Sequence, residues 1–91
     1  MSENRAVTTA SGFTCTPLRD WVNDMEFFEQ LVELEQGQMR HLPAAVQRIL
    51  GPEGKMALYD HLRDEKGKVP MDAVLAAVTE IITAMGDGKN S

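Results

Sequence analysis

The chain has 91 residues, of which 43% are hydrophobic and 25% are charged, as in an ordinary soluble domain. A domain of this size buries only about 60–65% of its unfolded surface, so a deep enclosed pocket is not expected. The net charge of −5 argues against nucleic acid and against an anionic membrane surface as partners. The single cysteine, Cys15, leaves no intrachain disulfide and suits a reducing cytoplasm. The first ten residues lack the apolar core of a signal peptide, and no apolar run approaches the roughly 18 residues of a membrane-spanning helix.

The pattern of residues 5–16 predicts an N-terminal β-hairpin. A two-residue loop at Ser11-Gly12 uses glycine for the positive φ of a tight turn and places Thr8 opposite Cys15. Pro17 ends the second strand because proline cannot donate to the ladder.

A first helix is predicted at about 23–36. Asn23 is its expected N-cap with Glu26 completing a capping box, and Gly37 is a suitable residue for the left-handed C′ position. Its apolar residues recur at helical spacing: Met25, Phe27, Phe28, Leu31, Val32 and Leu34.

Two further helices are predicted at about 42–50 and 52–64, separated by a break at Gly51-Pro52. Pro43 suits the first turn of the earlier helix. The expected core residues of the earlier helix are Leu42, Ala45, Val46, Ile49 and Leu50, and the later helix is expected to bury Met56, Leu58, Tyr59 and Leu62 to varying degrees.

A fourth helix is predicted at about 70–85, followed by a flexible tail at 87–91. Its expected core stripe is Met71, Val74, Leu75, Val78, Ile81, Ile82 and Met85. The fold class is therefore α+β and mainly α: a hairpin and about four helices in a single globular domain over residues 1–86.

The segment 58–74, LYDHLRDEKGKVPMDAV, is the one candidate for a metal or catalytic site. His61 and Asp64 can share a helix face, but one histidine with carboxylates is a weak metal signature. The alternative is a joint between helices, with Gly67 as a left-handed cap and Pro70 in the next first turn. No catalytic motif, cofactor site or metal site is predicted, and the chain is not expected to be an enzyme.

The excess negative charge is concentrated in residues 20–36, which contain six acidic residues and no Lys or Arg. Either this helix is a solvated face that keeps the protein soluble, or it is an acidic docking surface for a basic partner.

The fourth helix has a second, weakly charged face that carries Ala73, Ala77 and Ala84. Either the alanines only raise helix propensity or this face is covered by a partner or a second copy, and self-association stays open. Methionines such as Met85 suit an adaptable apolar contact, and they also serve as fillers of core gaps.

The segments TASGFTCTP, NDMEFFEQLVELEQG, LPAAVQRILGPEGKMALYDHLRDEKGKVP and the terminal GKNS together resemble the small tail assembly chaperones of siphophages and prophages. The most distinctive pieces are ALYDHLRDEKGKVP and GKNS. The resemblance extends from about residue 6 to residue 91.

This resemblance implies a bacteriophage protein that binds the tape measure protein and keeps it soluble in the host bacterial cytoplasm while the tail tube assembles. It also implies absence from the mature virion. No family motif marks the contact surface, and the residues chosen as candidates for partner binding are Ala73, Ala77, Ala84, Met85, Phe27 and Phe28.

Members of this family are often made in two lengths by programmed frameshifting, and the longer form is thought to recruit the tail tube protein. Gly88, Lys89 and Asn90 can be encoded as GGA AAA AAC, which contains a slippery run and makes them a candidate junction. The alternative function is a small cytoplasmic adaptor or regulatory protein unrelated to tails.

Overall fold

The computed structural model describes the chain from residue 6 to residue 89. Within that range it is mainly helical, with two short strands, Val7–Thr8 (β1) and Thr14–Cys15 (β2), and three α-helices, Met25–Glu35 (α1), Leu42–Leu62 (α2) and Met71–Lys89 (α3). A single 3₁₀ turn, Met39–His41, precedes α2. The elements share one core, and the predicted mainly helical single domain with an N-terminal hairpin is confirmed at that level.

The hairpin forms, but its predicted register is wrong by one residue. Cys15 pairs with Val7 rather than with Thr8, and the loop has three residues, ending at Gly12 with φ +93°. A three-residue loop that ends in a left-handed glycine is a standard alternative to the two-residue turn. This register puts Val7, Cys15 and the buried Phe13 on one face, toward the core, so the inner face of the hairpin is largely apolar.

The first helix begins later than predicted, and its N-cap is Asp24 rather than Asn23. The Asp24 carboxylate accepts hydrogen bonds from the amides of Glu26 and Phe27, and Asn23 instead adopts φ +77° in the preceding turn. The predicted role of Gly37 is confirmed. Its amide donates to the Leu34 carbonyl at 3.0 Å with φ +94°, as in a Schellman motif.

The predicted second and third helices lie within one element, α2, which is interrupted by a kink at the expected break. Gly51 has φ 80° and ψ 167°, which no helix allows, and helical structure is present on both sides of it, between Leu42 and Leu62. The amide of Leu18 donates to the Ile49 carbonyl at 2.7 Å at this kink. The structure therefore has three α-helices within residues 6–89, and the predicted boundary between the second and third helices is the kink inside α2.

The last helix is longer than predicted. It begins at Met71 and continues to Lys89, beyond the predicted end at about residue 85, and the flexibility of residues 87–91 stays a prediction. Asn90 and Ser91 lie outside the described residues. None of the helices in the described part of the chain combines the length and apolar character that crossing a membrane requires.

Candidate partner-binding surface

Helix α1 leaves a large part of its apolar surface uncovered. Phe27 and Leu34 are each only 5% exposed and belong to the core, whereas Phe28 is 57% exposed and Met25 is 64% exposed. Leu31 is half-buried against the same core. Exposed apolar side chains that lie together often mark a surface that contacts another molecule, whereas single scattered ones are common on any protein.

Two depressions lie along this uncovered side and meet at Leu31. The first, of 390 Å³, lies at the start of α1 and is lined by Trp21, Val22, Asn23, Asp24, Met25, Phe27, Phe28 and Leu31. The second, of 230 Å³, lies between α1 and α3 and is lined by Leu31, Leu34, Glu35, Leu75, Val78, Thr79, Ile82 and Thr83. We call the two together the α1 groove.

Helix α3 forms the opposite wall of the groove with part of its predicted core stripe. Val74, Val78 and Ile81 are buried as expected, but Leu75 and Ile82 are only half-buried because they turn toward the groove. The expectation that this whole stripe is core is therefore wrong. The apolar stripe of α3 is wider than one buried side of a helix requires, and this width is the feature of the sequence that indicates a second apolar surface.

The six predicted partner-binding residues do not form one surface. Phe28 and Ala84 are exposed, Ala73 and Met85 are half-buried, and Phe27 and Ala77 are buried. Phe28 lines the α1 groove as an exposed side chain, whereas Phe27 lies in the core beneath it. Ala77 is 3% exposed, so it cannot contact a partner in this conformation.

The alanine-rich side of α3 is partly covered by the chain's own hairpin. Strand β1 packs against α3, and the amide of Ala10 donates to the Glu80 carboxylate at 2.6 Å. The low charge of this side thus has an intramolecular explanation, which sequence reasoning missed because the contact joins residues 70 positions apart.

The polar cluster of segment 58–74 makes structural contacts. His61 Nε2 lies 3.0 Å from the Ser11 carbonyl at the tip of the hairpin, and its ring packs on Phe13 with centroids 5.5 Å apart. The Asp64 carboxylate accepts hydrogen bonds from the amides of Lys66 and Lys68 and so closes the turn before α3. Within residues 6–89, no three metal-ligating side chains come together.

A short ion-pair network ties the start of α1 to α2. The Arg48 guanidinium lies 2.7 Å from the Asp24 carboxylate and 3.3 Å from the Asp20 carboxylate. Hydrogen bonding from Arg48 lowers the pKa of the Asp24 carboxyl below its ordinary value, and the amide of Phe27 adds to this effect. The carboxylate of Asp24 therefore serves the fold, as the partner of Arg48 and the N-cap of α1.

Two other polar groups near the core have restricted chemistry. Burial raises the pKa of the Cys15 thiol, so a smaller fraction of it is thiolate at neutral pH than in an exposed cysteine, and it is correspondingly less nucleophilic. His41 Nε2 lies 2.6 Å from the Glu33 carboxylate, but the pair lacks the alignment of a hydrogen bond. Neither arrangement provides a nucleophile with a general base at hydrogen-bonding distance.

The predicted frameshift junction lies at the end of α3. Gly88 and Lys89 fall within the last turn of that helix, and Asn90 lies outside the described residues. Comparison of the chain with protein-family models, with curated proteins and with solved structures gives no match.

Proposed function

We propose that this protein is the short form of a phage tail assembly chaperone, which binds the tape measure protein and keeps it soluble while the tail tube assembles. The resemblance of ALYDHLRDEKGKVP and the terminal GKNS to that family supports the assignment. The proposed site of action is the host bacterial cytoplasm, and the protein is not retained in the finished virion.

The observation that carries the proposal is the uncovered apolar surface of α1 in a protein that is otherwise small and acidic. A chaperone for a long apolar-rich chain needs apolar side chains that are accessible in its own folded state, and it needs enough charge to stay soluble. Phe28 and Met25 meet the first requirement, and the net charge of −5 meets the second.

The proposal includes a longer, frameshifted form that recruits the tail tube protein. The candidate junction at Gly88, Lys89 and Asn90 begins in the last turn of α3, after Met85, which packs against the core, so an extension would leave the core of the domain intact.

The frameshift is tested by expressing the native gene with its downstream DNA and an N-terminal tag. We expect a second, longer product whose junction peptide contains Lys89-Asn90, and we expect silent codon changes at these positions to abolish it. A single product that ends at Ser91 would contradict the frameshift.

The chaperone role is tested separately by co-expression with the tape measure protein encoded in the same tail gene cluster. We expect the tape measure protein to move from the insoluble to the soluble fraction and to co-purify with the tagged chain. If the gene has no tail genes as neighbours and no such partner is solubilised, the alternative of a small adaptor protein replaces this proposal.

A further inference from the structure

The α1 groove is apolar in its floor and acidic in its surroundings. Phe28, Leu31, Leu75 and Ile82 supply the apolar floor, and Glu35 lies at its edge as an exposed carboxylate. Asp72 stands seven residues before the groove residue Thr79 and therefore on the same side of α3. The groove thus combines apolar contact area with negative charge on both walls.

The parts of α1 and α3 that form the walls carry no basic side chain. Neither α1 nor α3 as far as Met85 contains a Lys or an Arg. The Arg48 guanidinium pairs with the carboxylates of Asp24 and Asp20 beside the first depression, so its charge is already engaged. A ligand that carries its own positive charges beside an apolar stripe would complement this surface best.

The shape of the groove matches a helix better than an extended strand. Phe28, Leu31 and Glu35 follow one another along α1 at spacings of three and four residues, and they span about 10 Å at 1.5 Å per residue. Two depressions that meet at Leu31 can accept two apolar side chains from successive turns of a partner helix. An extended strand would instead need a free sheet edge, and no strand borders this groove within residues 6–89.

We propose that the α1 groove binds an amphipathic helical segment of a partner protein whose apolar stripe is flanked by Lys or Arg. A second copy of this chain that presented the same groove would bring its acidic residues against Glu35 and Asp72 of the first copy, and this like-charge repulsion opposes a symmetric dimer here. The inference deepens the proposed function by naming the surface and the chemistry of the bound segment. It rests on that function only for the identity of the natural partner.

The test uses two designed peptides of roughly five helical turns with the same leucine stripe. One has lysine on both flanks of the stripe and the other has glutamate, and neither contains tryptophan. Trp21, the single tryptophan of the chain, lines the groove, so its fluorescence reports occupancy. We expect the lysine peptide to bind at least about tenfold more tightly than the glutamate peptide, and we expect added salt to weaken its binding.

Substitutions locate the binding. We expect Phe28→Ser to lower the affinity for the lysine peptide by about tenfold or more, because the substitution removes an exposed aromatic anchor. Thr83→Arg, on the opposite wall, should lower the affinity for the lysine peptide by a similar factor, because it adds positive charge and bulk to the groove. Met56→Ser is the matched control, since Met56 is 56% exposed on α2 and outside the groove, and it should leave the affinity within about twofold.

Each contrary result overturns the inference. These results are no binding of the lysine peptide, equal binding of both peptides, or loss of affinity with Met56→Ser but not with Phe28→Ser and Thr83→Arg. A dimer in sedimentation analysis that Phe28→Ser dissociates and Met56→Ser does not would make a second copy the occupant. Peptide binding without solubilisation of a tape measure protein would retain this inference and remove the proposed function.

Discussion

Helices α1 and α2 have similar apolar periodicity but use it differently. In the first half of α2, Val46 and Ile49 are completely buried, and the inward-facing apolar residues Leu42, Ala45 and Leu50 also belong to the core. In α1 only Phe27 and Leu34 are buried, and Phe28 and Met25 remain largely in contact with water.

The difference follows from the number of neighbours of each helix. Helix α2 packs against both α1 and α3, and the segment at Pro17-Leu18 is hydrogen-bonded to its kink. Helix α1 contacts α2 and the 3₁₀ turn but faces α3 across a groove. Apolar periodicity therefore identifies sides of a helix that are able to be buried, and the fold decides which of them are buried within one chain.

The largest expected effect contrasts Ile49→Ala with Phe28→Ala. Ile49 is fully buried, so its truncation should lower the free energy of unfolding by about 2–5 kcal/mol, a large part of the stability of a small domain. Phe28→Ala should change that free energy by less than about 0.5 kcal/mol, because the side chain is already mostly exposed. Urea denaturation of both variants measures the difference, and equal losses would mean that α1 is packed as tightly as α2.

A smaller effect is expected at the kink that shapes α2. Gly51→Ala should destabilise the protein by about 1–3 kcal/mol, because φ 80° with ψ 167° is a conformation open essentially to glycine alone. Glu53→Ala, two residues further along on the exposed side, is the control and should be nearly neutral. Thermal unfolding at neutral pH compares the two, and a neutral Gly51→Ala would mean that α2 can straighten without loss.

The smallest effect concerns the ion pair that attaches α1 to α2. Because the pKa of Asp24 is lowered in the folded state, its contribution to stability is fully present above its ordinary value of 3.8 and is lost as the pH falls through the folded value. Asp24→Asn keeps a capping side chain but loses this charge, so it should lower the melting temperature at pH 6 and not at pH 2.

Asp20→Asn is the matched control for this titration. Its carboxylate lies farther from Arg48 and makes no cap, so the variant should follow the wild-type curve more closely than Asp24→Asn does. Parallel curves for the wild type and Asp24→Asn at every pH would show that the pair with Arg48 contributes nothing to the attachment of α1.

The sequence predicts the positions of the helices well because their signals are local. Gly37 ends α1 and Gly51-Pro52 interrupts α2 as expected. The sequence does not identify the N-cap, because Asn23 and Asp24 are adjacent and both suit the position. The backbone decides between them: Asp24 is extended and caps α1, whereas Asn23 has a positive φ in the turn before it. The hairpin register was misassigned because loops of two and of three residues both use a positive φ at Gly12.

The groove was harder to foresee because it depends on contacts between distant residues. Nothing local distinguishes Phe27, which is buried, from Phe28, which is exposed. Among the alanines of α3, Ala77 is buried by the chain itself, which the spacing of the alanines in the sequence does not reveal. The concentration of acidic residues in 20–36 was visible in the sequence, but the uncovered apolar side chains that accompany it became apparent only in the folded chain.

The most direct test of the account is co-expression of the tape measure protein with the wild-type chain, with Phe28→Ser and with Met56→Ser, followed by measurement of the soluble fraction. The account predicts that the wild type and Met56→Ser keep the tape measure protein soluble and that Phe28→Ser does not, although all three variants fold. Equal solubilisation by all three variants, or by none of them, would contradict it.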